Sequence, residues 1–172
     1  MGVFQTYVLN GGFDGWKAEG RPVTAQPTRI ASSIFHADFD ASRVVGLDEM
    51  RRIVGSGESQ IADARSPGRF AGTEPEPRTG VRSGHMPGAR NVPASALSRQ
   101  GKFLPRGELR KVFDDAGIDL SRPVVTSCGS GITAAVITLA LESLGHGDNR
   151  LYDGSWTEWG GLSDTPVATG KE

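Results

Sequence analysis

Residues 124–135 have the sequence Val-Val-Thr-Ser-Cys-Gly-Ser-Gly-Ile-Thr-Ala-Ala and contain the only cysteine of the 172-residue chain, Cys128. The segment begins with an apolar, β-branched run, which predicts a buried strand. A glycine-rich turn follows, and residues 133–144 then show the apolar spacing of a helix. This strand, loop and helix predict a site where several backbone N–H groups and the positive end of a helix dipole meet.

Two interpretations of Cys128 follow from the residues alone. A free cysteine is often a small buried residue that only packs at the end of a strand. At the start of a loop lined with amide groups, however, a thiol should be more acidic and more nucleophilic than a free one. The glycines on either side of Ser130 favour the nucleophile, because they let the loop curl around an anion.

Composition excludes several functional classes. The net charge is −1, from 19 basic and 20 acidic residues, so neither nucleic acid nor an anionic membrane is indicated as a partner. No apolar run approaches the roughly 18–20 residues of a transmembrane helix, and residues 1–9 lack the features of a signal peptide. One cysteine excludes an intrachain disulfide, and the three histidines are far apart, so neither a metal nor a cofactor is expected. A reactive free thiol favours a cytoplasmic location.

Strands and helices alternate along residues 44–166. We predict strands at 44–45, 59–64, 91–93, 124–127 and 150–152, and helices at 47–54, 106–116 and 133–144. This alternation predicts an α/β fold of three layers, with a mainly parallel central sheet covered by helices on both faces. In such folds the ligand binds beyond the carboxyl ends of the strands, where Cys128 and residues 63–65 both fall. Residues 66–81 are expected to form a long irregular loop, which is typical of a functional segment.

The two ends of the chain have a different character. Residues 3–9 are expected to form a strand and residues 13–19 a short helix, and this aromatic strand, turn and helix is repeated in miniature at residues 151–159. Residues 23–43 are predicted to be an extended linker. The polar residues 163–172 are expected to be frayed, with 167–172 as a tail outside the domain.

Two motifs carry a resemblance to a known family. The loop from Cys128 to Ala134, Cys-Gly-Ser-Gly-Ile-Thr-Ala, resembles the active-site loop of the rhodanese superfamily and, more narrowly, that of 3-mercaptopyruvate sulfurtransferases. Residues 68–78, Gly-Arg-Phe-Ala-Gly-Thr-Glu-Pro-Glu-Pro-Arg, closely resemble a second segment of those enzymes. Residues 63–65, 84–89 and 152–159 match further segments of the superfamily. We expect the first two to be structural and residues 152–159 to form a wall of the pocket.

The resemblance implies a domain organisation and a set of site residues. Residues 44–166 would form a catalytic rhodanese-like domain, and residues 1–22 would be the remnant of a preceding domain of the same kind. Cys128 would be the nucleophile. The loop residues themselves offer Ser130 and Thr133 as hydroxyl donors beside it, and Ser130, which is flanked by glycines, is favoured as the catalytic one. The substrate would be bound by two arginines and by the remaining loop residues: Arg69, Arg78, Gly129, Gly131, Ile132 and Thr133.

The arginines also have an explanation that needs no substrate. Arg69 and Arg78 could be solvated loop residues that pair with Glu74 and Glu76. A guanidinium group, however, has a planar fork of donors that fits a carboxylate, and two of them beside an amide-lined loop would bind a small keto acid. In the family, the arginines that match these two bind the carboxylate and carbonyl of the substrate.

The implied activity is transfer of a sulfur atom from 3-mercaptopyruvate, through a Cys128 persulfide, to an external thiol or cyanide, for example a thiol of a dithiol protein. A thiosulfate:cyanide sulfurtransferase is an alternative, although thiosulfate-specific relatives carry basic residues where this chain has Gly129 and Ser130. A non-catalytic persulfide carrier is a second alternative, especially if a first domain is essential. That domain, or a second copy of the chain, is a possible partner. Cysteine-loop phosphatases need an arginine where this chain has Ala134, which argues against phosphoryl transfer.

Overall fold

The computed structural model describes residues 5–171. Its centre is a sheet of five parallel strands in the order β1-β7-β6-β2-β3, formed by β1 (Val44–Val45), β2 (Gln60–Asp63), β3 (Ala89–Asn91), β6 (Val124–Ser127) and β7 (Asn149–Tyr152). A small antiparallel hairpin of β4 (Ser98–Arg99) and β5 (Lys102–Phe103) lies apart from it. The predicted α/β fold with a mainly parallel sheet is therefore confirmed.

Helices cover both faces of the sheet. The helices of residues 5–171 are α1 (Gly12–Ala18), which lies before the sheet and has no buried residue, and α2 (Leu47–Ser56), α3 (Pro67–Ala71), α4 (Arg106–Asp115), α5 (Ala134–Ser143) and α6 (Ser155–Trp159). The apolar faces of α4 and α5 pack with Ala62 and Val124 in one buried cluster. Residues of α2, α3 and α6 pack with Ile61 and Val125 in the other. Because successive strand residues point to opposite faces, one sheet supplies both cores and the molecule has three layers.

The loop predicted at residues 66–81 begins instead with the short helix α3. Ser66 caps this helix, because its hydroxyl oxygen accepts a hydrogen bond from the backbone N–H of Arg69, and Pro67 occupies the first helical position. Gly72 ends the helix with a φ of 77°. The prediction of an irregular segment was therefore wrong for residues 67–71. The helix sets the direction in which the side chain of Arg69 points.

The segment before the sheet makes little contact with it. Residues 5–11 form no strand, and Val3 and Phe4 of the strand predicted there lie outside the described residues. The helix predicted at 13–19 is present as α1, none of whose residues is buried. Residues 21–43 are exposed throughout and have one 3-10 turn, Ala41–Arg43, at their end. The assignment of residues 1–22 to a preceding domain stays a prediction.

Residues 163–171 are ordered, contrary to the expectation of fraying. Ala168 pairs with His85 in an antiparallel bridge, and the N–H of Gly170 donates to the carbonyl of Ala71 over 2.9 Å. Thr165 is only 3% exposed. The segment has few apolar side chains, which is why the sequence suggested a free tail, but main-chain pairing holds it. Among residues 5–171, every helix is too short or too polar to span a lipid bilayer.

Candidate active site

Cys128 directly follows β6, at the edge of the sheet where the parallel strands end. All four residues of β6 are buried, and Ser127 pairs in register with Asp63, the last residue of β2. Ligands of open parallel sheets bind at this edge. The strand therefore carries the thiol to the position that the sequence predicted.

The loop after Cys128 is held by the first turn of α6. The carbonyl of Cys128 accepts from the N–H of Trp156, and the carbonyl of Gly129 accepts from the N–H of Thr157, both over 2.9 Å. The N–H of Cys128 in turn donates to the hydroxyl oxygen of Ser155 over 3.1 Å. Ser155 has a φ of 50°, an uncommon conformation for a residue with a side chain, and it is fully buried. These bonds fix the loop without using the groups that face the thiol.

Gly131 is required by the path of the loop. Its φ is 82°, and a β-carbon there would lie 2.8 Å from the carbonyl oxygen of Asp153. Any L-residue would be strained in this conformation and would also collide with the main chain. The predicted substrate-binding role of Gly131 is untested, but its need for a glycine is clear.

The thiol lies at the bottom of a cavity of about 480 Å³. Cys128 is only 1% exposed, yet it lines this cavity and is not sealed beneath the sheet. The other lining residues include both predicted arginines and most of the loop: Arg69, Glu76, Pro77, Arg78, Gly129, Ser130, Ile132, Thr133 and Thr157. A small molecule in the cavity can therefore touch the sulfur and the arginines together.

Two opposing effects act on the thiol. Burial raises the pKa of Cys128, because a charged sulfur loses hydration. The hydroxyl of Thr133 and the N–H groups of Ser130, Ala134 and Thr133 donate hydrogen bonds to the sulfur, and together they bring its pKa below the ordinary thiol value. The loop thus favours the thiolate, which is the nucleophilic form.

The hydroxyl that reaches the sulfur differs from the one we expected. The sequence offered both Ser130 and Thr133 as hydroxyl donors and favoured Ser130, but the structure places the hydroxyl of Thr133 against Cys128, whereas Ser130 contributes its main-chain N–H. Ile132 is 78% exposed at the rim of the cavity. The catalytic role given to Ser130 stays a prediction.

Arg69 reaches over the loop from α3. A β-carbon on Gly129 would lie 2.9 Å from an Nη of Arg69, so the guanidinium group lies against the loop next to the thiol. The carboxylate of Glu76 accepts from Nε over 3.2 Å and from Nη2 over 2.5 Å. These hydrogen bonds raise the pKa of Arg69 above its usual value, although partial burial opposes them. The ion pair that we weighed as the alternative to substrate binding is therefore present for this arginine.

Arg78 lines the same cavity and has a different partner. Its Nη1 donates to the hydroxyl oxygen of Thr157, and this hydroxyl donates to the carbonyl of Gly129 over 2.5 Å. Within residues 5–171, no carboxylate forms an ion pair with Arg78, whose side chain is exposed. The two predicted arginines thus face the same cavity, one neutralised by Glu76 and the other not.

A buried charge network supports this arrangement. The guanidinium group of Arg65 binds the carboxylate of Asp63 over 2.6 Å and that of Glu76 over 2.9 Å, and it also lies 4.5 Å from the ring of Trp156. The side chain of Glu76 is only 4% exposed, so it links Arg65 in the core to Arg69 in the cavity. Asp63 and Arg65 therefore brace the loops, as the sequence suggested.

The surroundings of His85 are those of a core residue. It is fully buried, its ring stacks on Phe70 at 3.8 Å with an angle of 6°, and Nδ1 lies 2.8 Å from the carbonyl oxygen of Phe70. Residues 5–171 contain no cluster of three or more histidine, cysteine or carboxylate side chains that could hold a metal ion. The sequence offered Glu76 only as a pairing partner of the arginines and Thr157 only as part of a pocket wall. The structure adds the link from Glu76 to Arg65 and the bond from Arg78 to Thr157, both between distant segments.

Comparison with known proteins gives a consistent picture. A family model described as "Rhodanese-like domain" matches residues 46–162. The 3-mercaptopyruvate sulfurtransferase of Escherichia coli is 39% identical over 97% of this chain and 59% of its own length. The thiosulfate sulfurtransferase of Gallus gallus is 42% identical over 92% of this chain and 55% of its own.

The structural comparison agrees with these matches. The crystal structure of the Tum1 protein from Saccharomyces cerevisiae superimposes with a TM-score of 0.82 at 32% identity, and the match covers 94% of this chain and 60% of the yeast protein. The chain thus spans somewhat more than half the length of the relatives that it matches.

Proposed function

This chain belongs to the rhodanese-like family, and we propose that it is a sulfurtransferase that takes sulfur from 3-mercaptopyruvate and passes it to a thiol or cyanide through a persulfide on Cys128. The observation that supports this most strongly is the cavity in which Cys128, Arg69 and Arg78 meet. A nucleophilic sulfur needs an electrophilic sulfur beside it, and the two guanidinium groups that line the same cavity suit an anionic keto acid.

The first step would form the persulfide. The Cys128 thiolate attacks the sulfur of 3-mercaptopyruvate, a new S–S bond forms, and the C–S bond of the substrate breaks. The electron pair of that bond stays on carbon as the enolate of pyruvate, which takes up a proton and leaves as pyruvate. The amide groups around Cys128 would hold the negative charge of the persulfide, as they hold that of the thiolate.

The second step needs an acceptor from outside the chain. The thiolate of the acceptor attacks the outer sulfur of the persulfide, and the Cys128 thiolate leaves. Because Cys128 is the only cysteine of the sequence, no second thiol of the chain can receive the sulfur. We therefore propose a small thiol or a reduced dithiol protein as acceptor, and a reducing compartment such as the cytoplasm as the place of reaction.

Thiosulfate is the second candidate donor, because relatives named thiosulfate sulfurtransferases match as well as those named for 3-mercaptopyruvate. The loop favours the keto acid: Gly129 and Ser130 add no positive charge for a compact dianion. The double variant Gly129→Arg/Ser130→Lys should raise thiosulfate use relative to that of 3-mercaptopyruvate. A side chain at 129 would also displace Arg69, which lies 2.9 Å from the added β-carbon, so keto-acid binding should fall as well. Steady-state kinetics with an unchanged ratio of the two activities would remove the loop-charge explanation.

Mass spectrometry of the intact protein tests the proposed function directly. After incubation with 3-mercaptopyruvate, the wild-type chain should gain the mass of one sulfur atom, and pyruvate should appear in equal amount. Cys128→Ser should gain nothing. A wild-type chain that takes no sulfur from either donor, but accepts it from a persulfide protein, would be a carrier and not this enzyme.

The relatives are longer than this chain. In this chain, a partner polypeptide would supply the part of the site that corresponds to their additional length. We propose either a preceding rhodanese-like domain or a second copy of this chain as that partner. Sedimentation velocity of the 172-residue chain would contradict the dimer if it gave only a monomer across the concentration range used for activity.

A further inference from the structure

We propose that Thr157 is a positioning residue that holds Arg78 in place for the carboxylate of the substrate, and that its hydroxyl thereby sets the affinity for a keto acid. The proposal rests on the function proposed above, because it assumes that the cavity takes a keto acid. Thr157 belongs to α6, far along the chain from Arg78 and from the cysteine loop. It nevertheless lines the same cavity as both.

The polarity of the hydrogen bonds determines what Thr157 can hold. A hydroxyl has one proton to donate and two lone pairs to accept with. The proton of Thr157 is used on the carbonyl of Gly129, over 2.5 Å. The oxygen can then only accept, and the group that donates to it is Nη1 of Arg78. This arrangement requires a hydrogen-bond donor at the oxygen of Thr157, and it holds the guanidinium group of Arg78 next to the loop that carries Cys128.

Arg78 needs such a restraint more than Arg69 does. Arg69 is already fixed by the buried carboxylate of Glu76. Arg78 is exposed, and within the described part of the chain its side chain has a hydroxyl and no carboxylate as partner. An unrestrained arginine loses side-chain entropy when it binds a ligand, so a residue that orders it beforehand improves affinity. Because its charge is not neutralised by an ion pair, Arg78 remains available for the substrate.

The loop itself does not depend on this hydroxyl. The main-chain N–H of Thr157 also donates to the carbonyl of Gly129, over 2.9 Å, and the N–H of Trp156 donates to that of Cys128. Thr157→Val keeps these bonds and the shape of the side chain, and it removes only the hydroxyl. Its effect should therefore appear in the binding of the keto acid and not in the reactivity of the thiol.

The experiment measures pyruvate binding through the protection of Cys128 from iodoacetamide, with the full chain. Thr157→Val should weaken pyruvate binding about fivefold, the loss expected when a long side chain must be ordered on binding. Thr157→Ser, which keeps the hydroxyl, should bind like wild type. Thr138→Val is the matched control, because its hydroxyl contacts that of Thr126 outside the cavity. In sulfur transfer from 3-mercaptopyruvate, Thr157→Val should raise KM and leave kcat within about twofold.

A double-mutant cycle shows whether Thr157 acts through Arg78. In an Arg78→Ala background, Thr157→Val should weaken pyruvate binding no further. A full additional loss there, or wild-type affinity in Thr157→Val, would overturn the proposal, as would a wild-type chain that pyruvate does not protect. If pyruvate protects as expected but no sulfur is transferred, the positioning role stands and the proposed sulfurtransferase function fails.

Discussion

At the scale of single residues, the hydroxyl of Thr133 contributes directly to the acidity of the thiol. It donates to the sulfur of Cys128, and together with three N–H groups it brings the pKa of Cys128 below the ordinary value in spite of burial. Removing it should favour the protonated form and raise the pKa. In Thr133→Val, the midpoint of iodoacetamide alkylation against pH should move upward by roughly one pH unit, since a hydrogen bond to a charged group contributes about 1.5–3 kcal/mol and one pKa unit corresponds to 1.36 kcal/mol.

The upward direction of this pKa shift determines the pH range in which the reactivity of Cys128 changes. Well above the variant's midpoint both proteins are thiolates and should react alike, whereas the difference in thiolate fraction should be largest between the two midpoints. Thr133→Ser keeps a hydroxyl and should titrate like wild type. Neither variant removes a helix cap, because the side chain of Thr133 makes no capping bond to α5. An unshifted midpoint in Thr133→Val would show that the amide groups alone lower the pKa.

Gly131 allows a second comparison at this scale, between conformational strain and a close contact. Gly131 and Gly145 have almost the same φ, 82° and 83°. A β-carbon at Gly131 would contact Asp153, whereas a β-carbon at Gly145 would have no atom within 4 Å. Each change to alanine should cost about 1–2 kcal/mol in the left-handed region. Gly131→Ala should cost more in urea unfolding and should abolish sulfur uptake, whereas Gly145→Ala should keep it. Equal losses of stability would contradict the close approach.

At the scale of elements, the sequence predicted the regular structure best where a pattern is long. The helix predicted at 133–144 is α5 at Ala134–Ser143, and the strand predicted at 124–127 is β6 without change. Shorter elements gave weaker signals: β3 begins before the predicted stub, and the five residues of α3 are too few to show a period. The capping residues Ser66 and Pro67 were the available sign of that helix.

The site could be predicted only in part for a related reason. Cys128 stands out as the one cysteine before a glycine-rich turn, and the segment resemblance pointed to Arg69 and Arg78. The bond from Arg78 to Thr157 joins residues 79 positions apart, and no local pattern contains such information. The dual role of Glu76 likewise depends on where β2 and the following loop meet in space.

Glu76 ties the loop after α3 to β2, and this link should be energetically important. Its buried carboxylate binds Arg65, which is 1% exposed, and Arg69. Glu76→Gln removes the charge that both guanidinium groups face, so we expect a loss of roughly 3 kcal/mol in the free energy of unfolding, measured with urea. Glu74→Gln is the matched control, because Glu74 is exposed and, within residues 5–171, its side chain bonds only to Ser66. That variant should stay within about 0.5 kcal/mol of wild type.

A second measurement separates stability from site geometry in Glu76→Gln. Because Arg69 would lose its fixed position over Gly129, the affinity of the cavity for pyruvate should fall even under conditions where the variant is fully folded. A variant that is destabilised but binds pyruvate like wild type would show that Arg69 needs no help from Glu76. Unchanged stability would show that the buried ion pairs are offset by the cost of desolvation.

At the scale of the whole molecule, the chain has a cohesive part and a loosely attached part. From β1 onward, two buried clusters and the central sheet hold the structure together. Before β1, the contact with the domain includes the hydrogen bond from the N–H of Phe103 to the side chain of Asn10, beside a cavity of about 590 Å³ lined partly by residues 6–11. Large apolar side chains in this part are exposed, among them Tyr7, Ile30, Ile34 and Phe39.

This contrast predicts the course of limited proteolysis. Trypsin should cut first after Arg29, in the exposed segment 21–43, and residues from β1 onward should resist. Because no residue of α1 is buried, the shortened protein should keep its fold, with a melting temperature within about 4 °C of the intact chain, the shift expected for roughly 1 kcal/mol at this size. The same fragment should still take up sulfur on Cys128, since the described cavity is lined only by residues after 68. Early cleavage within residues 44–171, or a large fall in melting temperature after the cut at Arg29, would show instead that the opening segment is an integral part of the domain.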